Sequence, residues 1–190
     1  MDIIQQALTI PGFTSEAFLR ELHGMAHGKR KVVEIGAFKG RATLVLADAV
    51  APDGGLVYSI DIWDDNTYAP ESFDPEDGYK TIDFLTGYRA FLRNTRMYYD
   101  RIVPLVASSH GTDKYFKMSS IEMLFIDADH AQHMVEKDLR LWLPKCRPDA
   151  VICGDDYDME GVANAVNATA FMHGYFVVKF DGGKGWRYVK

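Results

Sequence analysis

Two apolar, strand-like runs of this chain end in carboxylates. Met123-Leu124-Phe125-Ile126 leads into Asp127-Ala128-Asp129-His130, and Val151-Ile152-Cys153-Gly154 leads into Asp155-Asp156-Tyr157. If both are parallel strands of one sheet, their ends open on the same edge and Asp127, Asp155 and Asp156 converge. Three carboxylates so close repel one another unless a cation neutralises them or protons are taken up. An all-oxygen set suits Mg²⁺, Ca²⁺ or Mn²⁺ better than zinc. A plainer reading stays open, in which Asp127 hydrogen-bonds a ligand or a helix N-terminus while Asp155 and Asp156 cap the following helix.

A second set lies earlier. Val32-Val33-Glu34-Ile35 runs into Gly36-Ala37-Phe38-Lys39-Gly40 and then into a helical stretch. Gly36 lets the turn approach a ligand, and Gly40 admits close packing of helix on strand. In an open α/β sheet this first turn lies at the carboxyl ends of the strands, where ligands bind. A glycine turn without a ligand is the alternative. The next strand, Val57-Tyr58-Ser59-Ile60, ends at Asp61 and continues as Ile62-Trp63. An acid at that point accepts hydrogen bonds from both hydroxyls of a ribose, whether adenosyl or nicotinamide. Glu34 discriminates between the two, because an anion inside the first turn repels a pyrophosphate seeking amide hydrogens but suits the ammonium of an amino-acid tail. S-adenosylmethionine is therefore expected ahead of NAD, in a pocket made by Glu34, Gly36, Ala37, Phe38, Gly40, Asp61, Ile62 and Trp63.

The elements that must position these residues follow from patterning. Runs rich in β-branched residues recur at Lys31–Ile35, Leu56–Ile60, Arg101–Val106, Ile121–Ile126 and Ala150–Cys153. Between them, helical periodicity marks Ala42–Val50, Thr81–Tyr98 and Ala131–Leu143, the last with Met134, Leu139 and Leu141 to Leu143 near one face. Alternating strands and helices imply right-handed crossovers and a mainly parallel sheet covered on both faces, an α/β/α arrangement in three layers. After a helix over Met159–Phe171, the runs Tyr175–Phe180 and Trp186–Val189 flank Asp181-Gly182-Gly183-Lys184-Gly185, which reads as an antiparallel hairpin. That makes seven strands. The long connection Trp63–Gly78, within residues 62–80, sets Trp63, Tyr68 and Phe73 among acids and reads as a substrate flap or a surface loop.

Composition narrows the partners. A chain of 190 residues, 47% apolar and 25% charged, is expected to form a single soluble domain over residues 1–190. No run is long enough to span a membrane, and the first residues lack the pattern of a secretory signal, so the cytoplasm is expected. Cys146 and Cys153 have neither zinc nor redox spacing and are expected to be reduced thiols. A net charge of −6 argues against nucleic acid as partner. The charge is uneven, with seven carboxylates and no lysine or arginine from Asp61 to Asp77, and four arginines from Tyr88 to Arg101.

The chain resembles the class I S-adenosylmethionine-dependent methyltransferases, in the group of macrocin-type and mycinamicin-type sugar O-methyltransferases, and more distantly the catechol O-methyltransferases. The likeness begins at Ile10-Pro11-Gly12-Phe13-Thr14, which looks like the family's lead-in helix within residues 1–30, and passes through Glu34 to Arg41. It is strongest across Ile126 to His130, Asp138-Leu139-Arg140-Leu141-Trp142-Leu143-Pro144 and Gly154 to Tyr157. The resemblance implies a Rossmann-like fold with the C-terminal hairpin that plain dinucleotide-binding folds usually lack. It also implies that Glu34, Gly36 and Gly40 hold the methionine part of the cofactor and Asp61 its ribose, with Ser108 and Ser109 beside the adenine. Asp127, Asp155 and Asp156 match the metal ligands, and His130 matches the base, where the catechol enzymes place a lysine. Two departures stand out: Phe38 stands where many methyltransferases have a middle glycine, though this smaller group tolerates it, and the chain lacks the long N-terminal extension of the macrolide enzymes, so their acceptor pocket and assembly are not assumed for it.

The implied chemistry is methyl transfer to a hydroxyl of a small acceptor, aligned with the sulfonium methyl and deprotonated by His130 with help from the metal. An ordinary imidazole pKa of about 6.5 would leave His130 largely neutral, as a base must be. The competing readings are a metal-free methyltransferase, a non-catalytic nucleoside-binding or protein-binding domain, and a nicotinamide-dependent oxidoreductase. Association into homo-oligomers is left open.

Overall fold

The computed structural model describes residues 2–63 and 85–190. Along the chain run α1 (Ile3–Leu8), α2 (Glu16–Ala26), β1 (Lys31–Ile35), α3 (Arg41–Val50), β2 (Leu56–Asp61), α4 (Leu85–Thr95) and β3 (Ile102–Val106). They are followed by α5 (Ser109–Thr112), β4 (Ile121–Ile126), α6 (Gln132–Trp142), β5 (Cys146–Gly154), α7 (Glu160–His173), β6 (Phe176–Phe180) and β7 (Gly185–Val189). The strands form one seven-stranded sheet in the order β3-β2-β1-β4-β5-β7-β6. Strands β1 to β5 are parallel, and β7 pairs antiparallel with both β5 and β6. The expected α/β/α architecture with a C-terminal hairpin is the one observed. No helix among the described residues is long and apolar enough to cross a membrane.

Alternation along β1 distributes the core between two layers. Val32 packs with Phe18, Leu22, Leu46 and Phe91 of α2, α3 and α4, whereas Val33 and Ile35 pack with Val135, Leu139, Val162 and Val166 of α6 and α7. Because parallel strands are covered on both faces, they read as continuous apolar runs. The packing stripe of α6 is Val135, Leu139 and Trp142: Leu139 and Trp142 lie on the face expected from sequence, while Val135 takes the place of the partly buried Met134, and Leu141 is likewise only partly buried.

Helix α2 begins where the Ser15 hydroxyl accepts the Phe18 amide at 3.0 Å. The lead-in expected to be helical across Ile10–Thr14 is not: helices flank it, but these five residues form an irregular connection. Pro11 and Gly12 oppose a continuous helix there. Arg41, at the start of α3, holds the connection by donating to the carbonyls of Ile10 (2.7 Å) and Thr14 (2.8 Å). The flap expected over 62–80 lies, from residue 64 onward, outside the described residues, as do Tyr68 and Phe73.

Candidate active site

The switch in strand order falls between β1 and β4, and the loops at their carboxyl ends meet there. The contact is very close. A β-carbon on Gly36, whose φ is +88°, would lie 1.8 Å from the carbonyl oxygen of Asp127. The first turn and the first acid of the cluster are therefore one packed unit that only glycine permits.

Three residues of the turn have left-handed backbone: Gly36, Phe38 (φ +45°) and Gly40 (φ +87°). Phe38, at the position where many methyltransferases are expected to have glycine, is held in this conformation from several sides. Its amide donates to Asp61 Oδ2 at 2.8 Å, its carbonyl accepts from Trp63 Nε1 at 2.7 Å, and its ring stacks on Phe13. Among the described residues, five other than glycine have positive φ, and Phe38, Trp63 and Asp156 of these lie at this edge. Such strain persists where surrounding contacts over-determine it and gathers at functional sites.

Asp61 is buried at the end of β2. Its Oδ2 accepts the amides of Ala37 (2.9 Å) and Phe38, and its Oδ1 accepts that of Trp63 (2.9 Å). A carboxylate offers about four lone-pair sites, so the expected ribose-binding acid already braces the glycine turn and keeps limited further capacity. Ile62 is partly buried. Trp63, counted above with the pocket, packs its indole on Tyr88 and Phe91, with centroids 4.8 Å away in each case.

Glu34 lies under α3 instead of in an open cavity. Its Oε2 accepts the hydroxyls of Thr43 (2.6 Å) and Ser59 (2.7 Å), while Oε1 is buried without a partner. Burial raises its pKa to about 7, against the pull of Thr43 and Ser59, and Asp61 adds to the rise. The folded state thus binds this proton more tightly than the unfolded chain does. Between about pH 4.5 and pH 7 stability must fall as pH rises, by an amount on the order of 3 kcal/mol, and then level off. Glu34→Gln should remove that slope. Urea unfolding of both proteins from pH 4.5 to 8 checks it: the difference between the two curves should change across this window, and a constant difference would reject the assignment.

The acids converge as expected. One carboxylate oxygen from each of Asp127, Asp155 and Asp156 lies within 4.8 Å of the others. Burial and the neighbouring carboxylates push the pKa of Asp127 well up, and burial first, with Asp156 adding, raises that of Asp155 to about 6. With Ile126, His130 and Trp186 they line a small cavity. His130, at 47% side-chain exposure, sets Nε2 2.8 Å from Asp156 Oδ2. That contact raises the imidazole pKa above the ordinary histidine value expected for it. Ser108 and Ser109 open the loop after β3, whose Ala107 amide donates to the Asp61 carbonyl at 3.0 Å, and this brings the loop beside Asp61.

One edge of the sheet therefore gathers a glycine turn, an acid at the next strand end and three clustered carboxylates. Residues 33–157, 125 of the 190, match the family described as "Methyltransferase domain". The chain belongs to this methyltransferase family. Solved structures share the fold of this methyltransferase along nearly its whole length. An O-methyltransferase from Bacillus cereus in complex with S-adenosylhomocysteine gives a TM-score of 0.67 at 17% identity, over 100% of this chain and 91% of the other. The O-methyltransferase TomG of Streptomyces achromogenes, involved in tomaymycin synthesis and in complex with S-adenosylmethionine, gives 0.68 at 15% identity, over 99% and 88%. An S-adenosylhomocysteine-bound methyltransferase of Podospora anserina gives 0.67 at 10% identity, over 100% and 86%.

Sequence reasoning missed the supports of the site. Thr43 and Ser59 beneath Glu34 look like ordinary helix and strand residues, although Ser59 pairs directly with Glu34 across β1 and β2. Trp186, fully buried in β7, donates from Nε1 to the Asp155 carbonyl at 3.1 Å, and a β-carbon on Gly154 would come within 2.5 Å of its ring. The glycine before Asp155 and the tryptophan after the hairpin turn were the available signals.

Proposed function

We propose that this methyltransferase takes its methyl group from S-adenosylmethionine and delivers it to a hydroxyl oxygen of a small sugar or ring-bearing acceptor, with a divalent cation such as Mg²⁺ held by Asp127, Asp155 and Asp156. The reading rests chiefly on three carboxylates whose oxygens lie within 4.8 Å of one another, packed against a glycine turn. Burial, with the neighbouring carboxylates adding, raises the pKa values of Asp127 and Asp155, a cost that a hard cation held between them would offset. The Bacillus and Streptomyces proteins, bound to S-adenosylhomocysteine and S-adenosylmethionine, support the choice of cofactor. When bound, the cofactor supplies an electrophilic methyl, and the cation supplies charge that lowers the pKa of an acceptor hydroxyl.

The protein's own contribution is alignment and proton handling. Gly36 admits the methionine end, Asp61 receives the ribose, and Ser108 and Ser109 face the base. His130 takes the acceptor proton, and Asp156 stabilises the imidazolium that results. We place the reaction in the cytoplasm, where thiols such as the buried, free Cys146 and Cys153 stay reduced.

Calorimetry with S-adenosylhomocysteine and with NAD tests the cofactor, and His130→Ala tests the base. We expect binding of the first ligand alone. The variant should keep that affinity while turnover falls by about 10²- to 10⁴-fold. Binding of NAD instead would overturn the reading, and unchanged turnover would remove His130 from the mechanism.

A further inference from the structure

Helix α7 has a glycine at its second position. Gly161 does not have the left-handed backbone that reserves a site for glycine, and within a helix glycine is less favourable than alanine. Gly24, inside α2, faces open space, so a methyl group there would meet nothing. At Gly161 the space is taken. A β-carbon would lie 2.5 Å from the carbonyl oxygen of His130 and 3.0 Å from the amide nitrogen of Gln132. The first turn of α7 therefore rests directly on the backbone that carries His130.

Asp156 is referred to the same turn. The Met159 amide, at the cap of α7, donates to the Asp156 carbonyl at 2.9 Å. Both partners of the 2.8 Å contact between His130 Nε2 and Asp156 Oδ2 are thus located by main-chain contacts with the start of α7. The neighbouring acids have other anchors: the Asp127 amide donates to the Ile35 carbonyl at 2.8 Å, and Trp186 holds the Asp155 carbonyl. His130 and Ala131, between these anchors, are exposed, so they yield first to a crowding methyl and the core stays closed. We infer that Gly161 is a positioning residue for His130: the missing side chain at the first turn of α7 lets the imidazole reach Asp156. Relieving the overlap of a β-carbon needs a shift of about 1 Å, enough to break that contact and to cost an aligned group up to about a hundredfold in rate. The consequence for turnover rests on the reading of His130 as the base, whereas the placement of the ring does not.

The test is Gly161→Ala in the full chain, read in chelator from the ring-nitrogen chemical shifts of His130 at one fixed pH. His130→Ala assigns those signals by their loss, and Asp156→Asn supplies the signature of an imidazole whose carboxylate partner is gone. Gly161→Ala should move the shifts most of the way to that signature, while Gly24→Ala, the same methyl in open space, should leave them at wild-type values. Wild-type shifts in Gly161→Ala overturn the inference, and so does an equal movement in Gly24→Ala. Turnover carries the test to the chemistry. Gly161→Ala should lower it by about tenfold or more with the affinity for S-adenosylhomocysteine kept within about threefold, and should cost nothing further in a His130→Ala background. A loss of the same size in that background overturns the inference, because the glycine would then act through something other than His130. Unchanged turnover in His130→Ala alone overturns the base reading instead, and the ring shifts still decide how the imidazole is placed.

Discussion

Asp155→Asn should make the protein more stable and less active at the same time. With the Asp155 pKa raised to about 6 from an ordinary 3.8, the folded state holds the proton more tightly, and stability falls as pH climbs from about 4 to about 6. Above that window the ionised group costs the metal-free protein on the order of 3 kcal/mol. Asparagine removes the charge and retains an oxygen for the Asp156 amide, which now donates to Asp155 Oδ1 at 2.8 Å. Melting in chelator at pH 7.5 should therefore rise by several degrees, with little difference near pH 4. If the cation is held as proposed, metal-stimulated turnover should fall on the order of a hundredfold or more, because one of its three carboxylates is lost. A variant that melts no higher at pH 7.5 would refute the repulsion among the acids. Full activity of either protein in chelator would remove the cation from the mechanism.

Gly36→Ala should be the most damaging single methyl addition in the described chain. The new β-carbon would meet the Asp127 carbonyl oxygen at 1.8 Å and its carbon at 2.6 Å, backbone atoms that no rotamer change can move aside. The left-handed conformation adds about 1–2 kcal/mol for any residue with a β-carbon, and the overpacking about 1–3 kcal/mol or more. Relief requires the β1 turn and the end of β4 to separate, which pulls the glycine turn away from Asp127. Gly40→Ala shares the backbone strain but meets the Thr95 methyl at 2.6 Å and the Phe91 ring at 3.1 Å, side chains able to shift. Urea unfolding should rank Gly36→Ala as the greater loss, by more than 1 kcal/mol, and calorimetry should show its cofactor binding abolished. Equal losses would mean that the β1 and β4 loops are not packed as a unit.

Much of the sheet was legible because its strands are buried on both faces. Lys31–Ile35 and Ile121–Ile126 were read with the ends they have. Strand β5 was read only from Ala150, whereas it begins at Cys146: Arg147, Pro148 and Asp149 are exposed, and the register against β4 shifts between Ile121 and Met123. Solvated residues on a strand carry no apolar signal. Helix α5 escaped notice because three polar residues around Gly111, at φ +102°, have no periodicity to read. The candidate site shows the same division. Its acids are legible as the last residues of strands, a position that topology alone sends to one edge. The partners of Glu34 and the seat of His130 on Gly161 depend on which residues face each other across elements, and spacing along the chain does not specify that.

The C-terminal hairpin gives the molecule an order of assembly. Lys184 accepts the Tyr157 amide at 2.7 Å through its carbonyl, and Trp186 reaches the Asp155 carbonyl, so β7 clamps the loop bearing two of the three acids. On the ribosome that loop is made well before its clamp. A nascent chain extended through α7 holds strands β1 to β5 yet lacks the buttress behind Asp155, and its carboxylates are free to spread into solvent. Catalytic competence should therefore arrive late in biogenesis, after the nucleoside side of the sheet has taken shape.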